Sequence, residues 1–278
     1  PDMAEMVLVR SVHAHARIRG IDVSAALAMP GVVCVLTGAD VRDRVRPLRA
    51  DLDREKNPTY KACDWYPLAH DKVRYVGDAV AMVVASDRYT AEDAAERVVV
   101  DYEPLEAVVD PERALASPTA LVHDEWGDNV LCHTDFSAGD PEGAFARAKV
   151  VVETRFRTNR HHALPLEPRG CLASYEAATD RLTLWTSSQM PHMVRTKLAE
   201  HLERPENGIR VIAPDVGGGF GLKCHFFPEE ALVAVAALEA RRPVRWLEDR
   251  RESFTSSFHA KEQIVDAALA LDAGGRLL

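Results

Sequence analysis

The sequence predicts an α/β chain made of two successive units, and three observations support this fold class. Short, continuous apolar runs at residues 32–37 and 79–85 are typical of buried strands. Alanine-rich segments such as residues 228–240 predict helices between the strands. Residues 110–145 are rich in Pro, Gly and Asp, a composition that favours a connection between units.

Composition limits the classes of function. The 278 residues are enough for one large domain or two ordinary ones. A net charge of −9 argues against nucleic acid or an anionic membrane as the main partner. No apolar run approaches the roughly 20 residues of a membrane-spanning helix, and residues 1–5 lack a basic region followed by an apolar one, so we expect no signal peptide in this segment. The five cysteines are widely spaced, so we expect a cytoplasmic chain with free thiols.

The first unit is predicted to cover residues 1–115. Its apolar patterns predict strands at residues 6–11, 16–21, 32–37, 79–85 and 98–102. The segment that begins at Thr90 resembles a capping box and predicts a helix that ends near Arg97. Residues 43–65 are charged and contain two prolines, so we expect a loop there.

The second unit is predicted to cover residues 146–278, after a connecting segment at 116–145. We expect strands at residues 149–158, 181–186, 209–213 and 243–247, and helices at 191–203 and 228–240. The strand at 209–213 runs directly into residues 217–223, Gly-Gly-Gly-Phe-Gly-Leu-Lys, which we call the glycine loop. Ligands of α/β proteins bind where strands end, so this placement favours a binding site.

The glycine loop holds four glycines within five residues. Such a cluster is best explained by a group that lies against bare backbone, and its N–H groups are suited to an anion. The dinucleotide fingerprint does not fit, because Leu222 stands where Gly or Ala is needed. The P-loop does not fit either, because Cys224 follows Lys223. A bend required only for packing is the alternative.

Four other polar features have both a functional and a structural interpretation. His13 and His15 have the spacing of a metal pair on a strand, but a structural role is favoured. His161 and His162 are adjacent in sequence, so on an extended segment their side chains point in opposite directions and are poorly placed to share a metal ion. Glu167, between two prolines, is expected to pair with Arg169 or to make a positioned polar contact. Gln189 either donates its amide to a ligand or satisfies the start of the following helix.

Many segments, in the right order and over nearly the whole chain, resemble the large subunit of the molybdenum hydroxylases. This family contains xanthine dehydrogenase, aldehyde oxidoreductase and aerobic carbon monoxide dehydrogenase. The matching segments are residues 11–18, 30–33, 36–40, 76–81, 91–95, 100–105, 161–162, 167–170, 185–189, 217–223, 242–244 and 248–252.

The resemblance implies a fold and a site. Residues 1–115 are expected to form the α/β hammerhead domain, and residues 146–278 the first part of the molybdopterin-binding domain. The implied cofactor-binding residues are Gln189, Gly218, Gly219, Phe220 and Gly221. Gln189 and Phe220 are expected near the molybdenum. The cofactor's own sulfurs hold the metal, so the resemblance implies no protein ligand to it.

The resemblance also implies an activity, namely oxidative hydroxylation of an aldehyde, an N-heterocycle or carbon monoxide, with water as the oxygen source. The general base of the family is a Glu, which we expect beyond Leu278. We therefore expect a fragment or one piece of a split subunit, inactive as an isolated chain. Cys224 stands where xanthine-oxidising members carry Glu, which argues against a purine substrate. The alternative is a non-catalytic assembly or interaction module that binds no cofactor on its own.

The expected cofactor is molybdenum–molybdopterin in its cytosine dinucleotide form. The resemblance implies [2Fe–2S] clusters and FAD on partner subunits, since nothing in these residues is suited to either. The expected partners are an iron–sulfur small subunit, an FAD-containing medium subunit and the remainder of the molybdenum subunit, together with a small-molecule substrate.

Overall fold

A computed structural model describes residues 2–49, 52, 55–116 and 120–278. Its strands are β1 Ala4–Arg10, β2 Ala16–Asp22, β3 Val32–Thr37, β4 Lys72–Val73, β5 Ala79–Ala85, β6 Val99–Pro104, β7 Val150–Arg157, β8 Arg160–His162, β9 Gly170–Glu176, β10 Arg181–Thr186, β11 Ile209–Ile212, β12 Val244–Leu247, β13 His259–Lys261 and β14 Ile264–Leu271. Its helices are α1 Ser24–Leu27, α2 Gly38–Val41, α3 Arg88–Ala95, α4 Pro111–Ala116, α5 Pro141–Arg147, α6 Pro191–His201, α7 Pro228–Ala240 and α8 Arg250–Ser256. None of the described helices is long and apolar enough to cross a bilayer.

The chain divides into two compact units. The larger contains the described parts of residues 1–51, 61–130 and 164–257, and the smaller those of 52–60, 131–163 and 258–278. The larger unit is built on a seven-stranded mixed sheet with the strand order β11-β10-β9-β12-β1-β5-β3. Two neighbouring pairs, β1 with β12 and β10 with β11, are parallel, and the other pairs are antiparallel. One sheet therefore joins strands from both predicted domains.

Helix α7 is the centre of the main core. All ten residues from Pro228 to Ala237 are buried, and the helix packs on β9, β10 and β12. Because most of these side chains are alanine or valine, the helix axis can approach the sheet closely, and Leu232 and Trp246 fill the space between. A second core lies where α3 packs on β1 and β5. The seven-stranded sheet is thus packed against α7 and α3.

The larger unit also has a three-stranded sheet in the order β4-β2-β6. In the smaller unit, β7 pairs with β14 and β8 with β13, both antiparallel. Every residue of β7 is exposed, including three successive valines from Val150 to Val152. An isolated pair of strands buries little apolar surface, so this unit has few contacts of its own to stabilise it.

Most predicted elements are present with small differences at their ends. The helix predicted from Thr90 begins earlier, because the Asp87 carboxylate accepts the Thr90 N–H at 3.0 Å and caps the helix at Arg88. Strands β9 and β14 were not predicted. Of the loop predicted at 43–65, residues 50, 51, 53 and 54 lie outside the described residues, and the rest contains an isolated bridge between Leu48 and Trp65.

Candidate functional site

The glycine loop follows β11 and lies at the surface of the larger unit. Gly218 and Gly221 have φ angles of 97° and 85°, and Phe220 has a φ of 52°. Left-handed backbone is costly for residues with a Cβ, so the two glycines allow the turn and Phe220 carries local strain. Phe220 is 76% exposed. A large aromatic ring in a strained, exposed position is a feature that packing within this chain does not explain.

The backbone of the loop presents unused donors. Gly218 N donates to Val216 O and Leu222 N donates to Gly219 O, each at 3.0 Å. In the described part of the chain, the N–H groups of Gly219, Phe220 and Gly221 have no acceptor. Three successive free N–H groups at an exposed turn are suited to an anionic or oxygen-rich group.

Gln189 lies against this loop. It follows β10, and its backbone N–H donates to Lys223 O at 2.9 Å. A Cβ at Gly219 would lie 2.2 Å from Gln189 Oε1, so the absence of a side chain at position 219 leaves room for the amide. The structure thus brings together the five residues predicted from the sequence as cofactor-binding, namely Gln189, Gly218, Gly219, Phe220 and Gly221. Their role in binding stays a prediction.

Glu167 makes hydrogen bonds with both ends of the glycine loop, at Gly217 and at Lys223. Glu167 Oε2 accepts hydrogen bonds from Gly217 N and Lys223 Nζ, both at 2.7 Å. The predicted pairing of Glu167 with Arg169 is therefore wrong. The reason is that the Arg169 guanidinium enters the core, where Glu229 Oε2 at 2.9 Å and Glu248 Oε1 at 2.7 Å accept its N–H groups. The other interpretation of Glu167, a positioned polar contact, agrees with this geometry.

A buried layer of charges lies beneath the site. Arg10 also binds Glu229, at 2.9 Å, and Glu252 at 2.8 Å. The Arg169 guanidinium lies 3.8 Å from the centroid of the Phe227 ring. Burial alone would raise the pKa of Glu229, but the guanidinium groups of Arg169 and Arg10 lower it to about 2. This network joins β1 and α7 to Arg169, the residue directly before β9, and keeps that segment in place.

The carboxyl group of Glu230 has a different environment. It accepts hydrogen bonds from Thr186 Oγ1 at 2.7 Å and from Phe227 N at 2.9 Å. Burial raises the pKa of Glu230 to about 7, because these two bonds compensate only part of the desolvation. A narrow pocket is lined by Thr186, Lys223 and Glu230, among other residues. The Glu230 carboxyl group is therefore hydrogen-bonded to Thr186, the last residue of β10, three positions before Gln189.

The histidine pairs make separate contacts. His15 Nδ1 lies 2.7 Å from Glu106 O, whereas the His13 ring contacts the Tyr102 ring at a centroid distance of 5.0 Å. His162 pairs with His259 across β8 and β13, with ring centroids 5.4 Å apart. Among the described residues, no group of three or more His, Cys, Asp or Glu side chains is placed to hold a metal ion.

Comparison with protein families gives two matches that together cover most of the chain. Residues 1–106 match the aldehyde oxidase and xanthine dehydrogenase a/b hammerhead domain, and residues 122–278 match the molybdopterin cofactor-binding domain.

The chain is also similar to large subunits of known enzymes. It is 45% identical to the nicotine 6-hydroxylase large subunit of Paenarthrobacter nicotinovorans, over 97% of this chain and 32% of that protein. It is 38% identical to the carbon monoxide dehydrogenase large chain of Afipia carboxidovorans, over 100% of this chain and 35% of that protein. The crystal structure of quinoline 2-oxidoreductase from Pseudomonas putida 86 superposes with a TM-score of 0.94 and 42% identity, over 99% of this chain and 35% of that chain. The chain therefore spans about a third of the length of these relatives.

Proposed function

The chain belongs to the molybdenum hydroxylase large-subunit family, and on that premise we propose that it forms one wall of a molybdenum–molybdopterin site. The observation that carries the proposal is the convergence of Gln189 with three free N–H groups on the exposed glycine loop. These donors lie in the part of the chain that matches the molybdopterin cofactor-binding domain.

The residues fit such a cofactor. A pterin carries ring nitrogens and oxygens that accept hydrogen bonds, and a phosphate group supplies negative charge. Backbone N–H groups of Gly219, Phe220 and Gly221 are free to donate to such acceptors. The Gln189 side chain can donate through its amide nitrogen or accept through its oxygen. In this proposal Gly218 and Gly221 allow the turn, and the exposed Phe220 ring covers the bound group beside the metal.

The cofactor, when bound, supplies the two-electron redox chemistry of hydroxylation, and the protein supplies binding, orientation and electrostatics. In our proposal the Gln189 amide orients the reactive end of the cofactor. The glycine loop binds and desolvates the cofactor from one side. The general base is supplied by the remainder of the large subunit, together with the rest of the cofactor cavity.

We propose an N-heterocycle as the substrate, with an aldehyde or carbon monoxide as the other candidates. Nicotine and quinoline, named for two similar proteins, are both nitrogen heterocycles. We further propose that the cofactor is the cytosine dinucleotide form and that the complex is cytoplasmic. Electrons leave through [2Fe–2S] clusters on a small subunit and FAD on a medium subunit.

The test uses the full large subunit that contains this chain, purified from cells that make molybdopterin. We expect molybdenum by metal analysis, a fluorescent pterin after oxidation, and dye-linked oxidation of quinoline or nicotine. A subunit with neither molybdenum nor pterin would refute the proposal and favour the non-catalytic module.

Three variants test the assigned residues. Gly219→Val places a branched side chain against Gln189 and the free N–H groups, so we expect loss of molybdenum. Gln189→Ala should keep most of the molybdenum and slow turnover. Gly20→Val is the matched control, because a Cβ at Gly20 meets no atom within 4 Å. Normal molybdenum content in Gly219→Val would show that the loop does not bind the cofactor.

A further inference from the structure

We propose that Glu167 is a positioning residue that couples the glycine loop to Gln189, so that both are held in one geometry. The effect on catalysis rests on the proposed function, whereas the mechanical coupling can be measured without any cofactor. In the part of the chain that the structure describes, the hydrogen bonds of Glu167 to the glycine loop go to Gly217 and Lys223 and not to the free N–H groups of residues 219–221. Its carboxylate acts through Gly217 and Lys223.

A single carboxylate oxygen closes the loop. Glu167 Oε2 accepts from Gly217 N at one end of the loop and from Lys223 Nζ at the other end, each at 2.7 Å. In addition, Glu167 N donates to Gly217 O at 3.2 Å. The two ends of a seven-residue, glycine-rich segment are therefore joined through one side chain. Without that link, the entropy of four glycines favours many other loop conformations.

Lys223 extends the link to Gln189. Its side chain is 1% exposed, and among the described residues Glu167 is its ion-pair partner. The main-chain oxygen of Lys223 accepts from Gln189 N at 2.9 Å and from Ser188 Oγ at 3.3 Å. Displacement of Lys223 would therefore move the backbone that carries the Gln189 amide. A buried ammonium group without a counter-charge is energetically costly, so the Lys223 side chain depends on its ion pair with Glu167.

The segment that carries Glu167 is fixed independently of the loop. On one side, Arg250 Nη2 donates to Pro165 O at 2.8 Å and to Leu166 O at 3.0 Å. On the other side, Arg169 N donates to the buried Glu248 Oε2 at 2.9 Å. Because the residues on both sides of Glu167 are hydrogen-bonded to other parts of the larger unit, Glu167 is held in place. Its own hydrogen bonds to Gly217 and Lys223 then restrict the loop. Proline at 165 and 168 restricts the backbone further.

The experiment compares four variants of the full large subunit: Glu167→Gln, Lys223→Met, the double variant, and Glu200→Gln as a control. Glu200 resembles Glu167 because it also accepts from a lysine, Lys197 Nζ at 3.1 Å, and it is similarly exposed, but it lies on α6. The first measurement is amide hydrogen exchange of residues 187–190 and 217–223 in cofactor-free protein. The second is molybdenum content, kcat and KM of the holoenzyme.

We expect Glu167→Gln to accelerate exchange in both segments more than in the rest of the chain, and to lower the melting temperature because the buried Lys223 ammonium loses its counter-charge. In the holoenzyme, kcat should fall by roughly 10- to 100-fold with a much smaller change in KM, since the loss is one of alignment. The double variant should be no worse than either single variant, because both remove the same link. Glu200→Gln should behave like the wild type in every measurement.

Unchanged exchange at residues 187–190 in Glu167→Gln would overturn the coupling, as would additive losses in the double variant. A wild-type subunit without molybdenum would refute the proposed function instead, and the exchange data would still decide the coupling. If exchange accelerates in both segments but kcat equals that of Glu200→Gln, Glu167 has no positioning role in catalysis and this inference fails.

Discussion

Replacement of Glu230 by glutamine should remove a loss of stability that the wild-type protein shows as the pH rises from about 4.5 to 7. Burial raises the pKa of this carboxyl group from 4.5 to about 7. Between these values the folded protein holds a proton that the unfolded chain has released, so the free energy of unfolding falls with rising pH. Below about pH 4.5 both states hold the proton and the contribution is fully present.

The magnitude follows from the width of this window. One proton held only by the folded state changes the free energy of unfolding by about 1.4 kcal/mol for each pH unit. From the ordinary value of 4.5 to about 7, the wild type should lose roughly 3 kcal/mol through this group. A glutamine resembles the protonated form, because it can accept from Phe227 N and place its amide nitrogen against Thr186 Oγ1.

The assay is urea unfolding of the large subunit at several pH values from 5 to 8, followed by the fluorescence of tryptophan. Because other titrating groups are common to both proteins, the difference between wild type and Glu230→Gln isolates this position. We expect the variant to gain relative stability steadily up to about pH 7. Equal pH dependence in the two proteins would refute the argument from burial.

Glu229→Gln provides a contrast of opposite sign. The pKa of Glu229 is lowered to about 2 by Arg169 and Arg10, against the effect of burial. Its ionised form stabilises the protein above about pH 4.5, and this contribution is lost as the pH falls towards 2. The variant should therefore be less stable than wild type at neutral pH, and the difference should shrink in acid. The same trend in both variants would contradict the assignment.

Three further substitutions, two of them with a matched control, test the packing and the loop. Arg169→Met leaves the buried Glu248 carboxylate without its cation and Glu229 with Arg10 alone, and should destabilise the protein by about 3–5 kcal/mol in urea unfolding, whereas Arg46→Met at an exposed ion pair should cost less than about 1 kcal/mol. Gly77→Ala should lower the melting temperature more than Gly127→Ala. Both glycines have positive φ, but only at Gly77 would a Cβ lie 2.5 Å from a backbone oxygen. Gly219→Ala should displace the Gln189 amide and lower kcat at nearly unchanged molybdenum content, as measured by kinetics and metal analysis.

Local sequence patterns were sufficient for elements that are buried or strongly capped. β3 and β5 agree with the prediction to the residue, because a continuous apolar run buried in a sheet has clear ends. The same holds for α7, whose start is marked by Pro228. β9 was missed because its sequence, Gly-Cys-Leu-Ala-Ser-Tyr-Glu, mixes small, apolar and polar residues and gives only a weak hydrophobic pattern. Strand pairing depends on contacts distant in sequence, so the sheet order had no local signal.

The candidate site was predictable in part. The glycine loop was recognisable from composition, and Gln189 from the resemblance to a family. The partner of Glu167 was not predictable, because two cations, Arg169 and Lys223, were available and their directions depend on the tertiary fold. The sequence does not show whether a lysine at the end of a glycine-rich loop points to solvent or into the protein. The structure shows that the Lys223 side chain is buried, with 1% of it exposed.

The parallel pairing of β1 with β12 has a consequence for the order in which the protein is made. Ala4 pairs with Val244, which lies 240 residues later in the chain. At typical elongation rates β1 therefore waits roughly 10 to 50 s on the ribosome before this partner emerges. Its antiparallel neighbour β5 is synthesised much earlier and can cover one edge during that time. The other edge of β1 stays open until β12 arrives, so nascent chains interrupted before residue 244 are the species most exposed to faulty strand pairing.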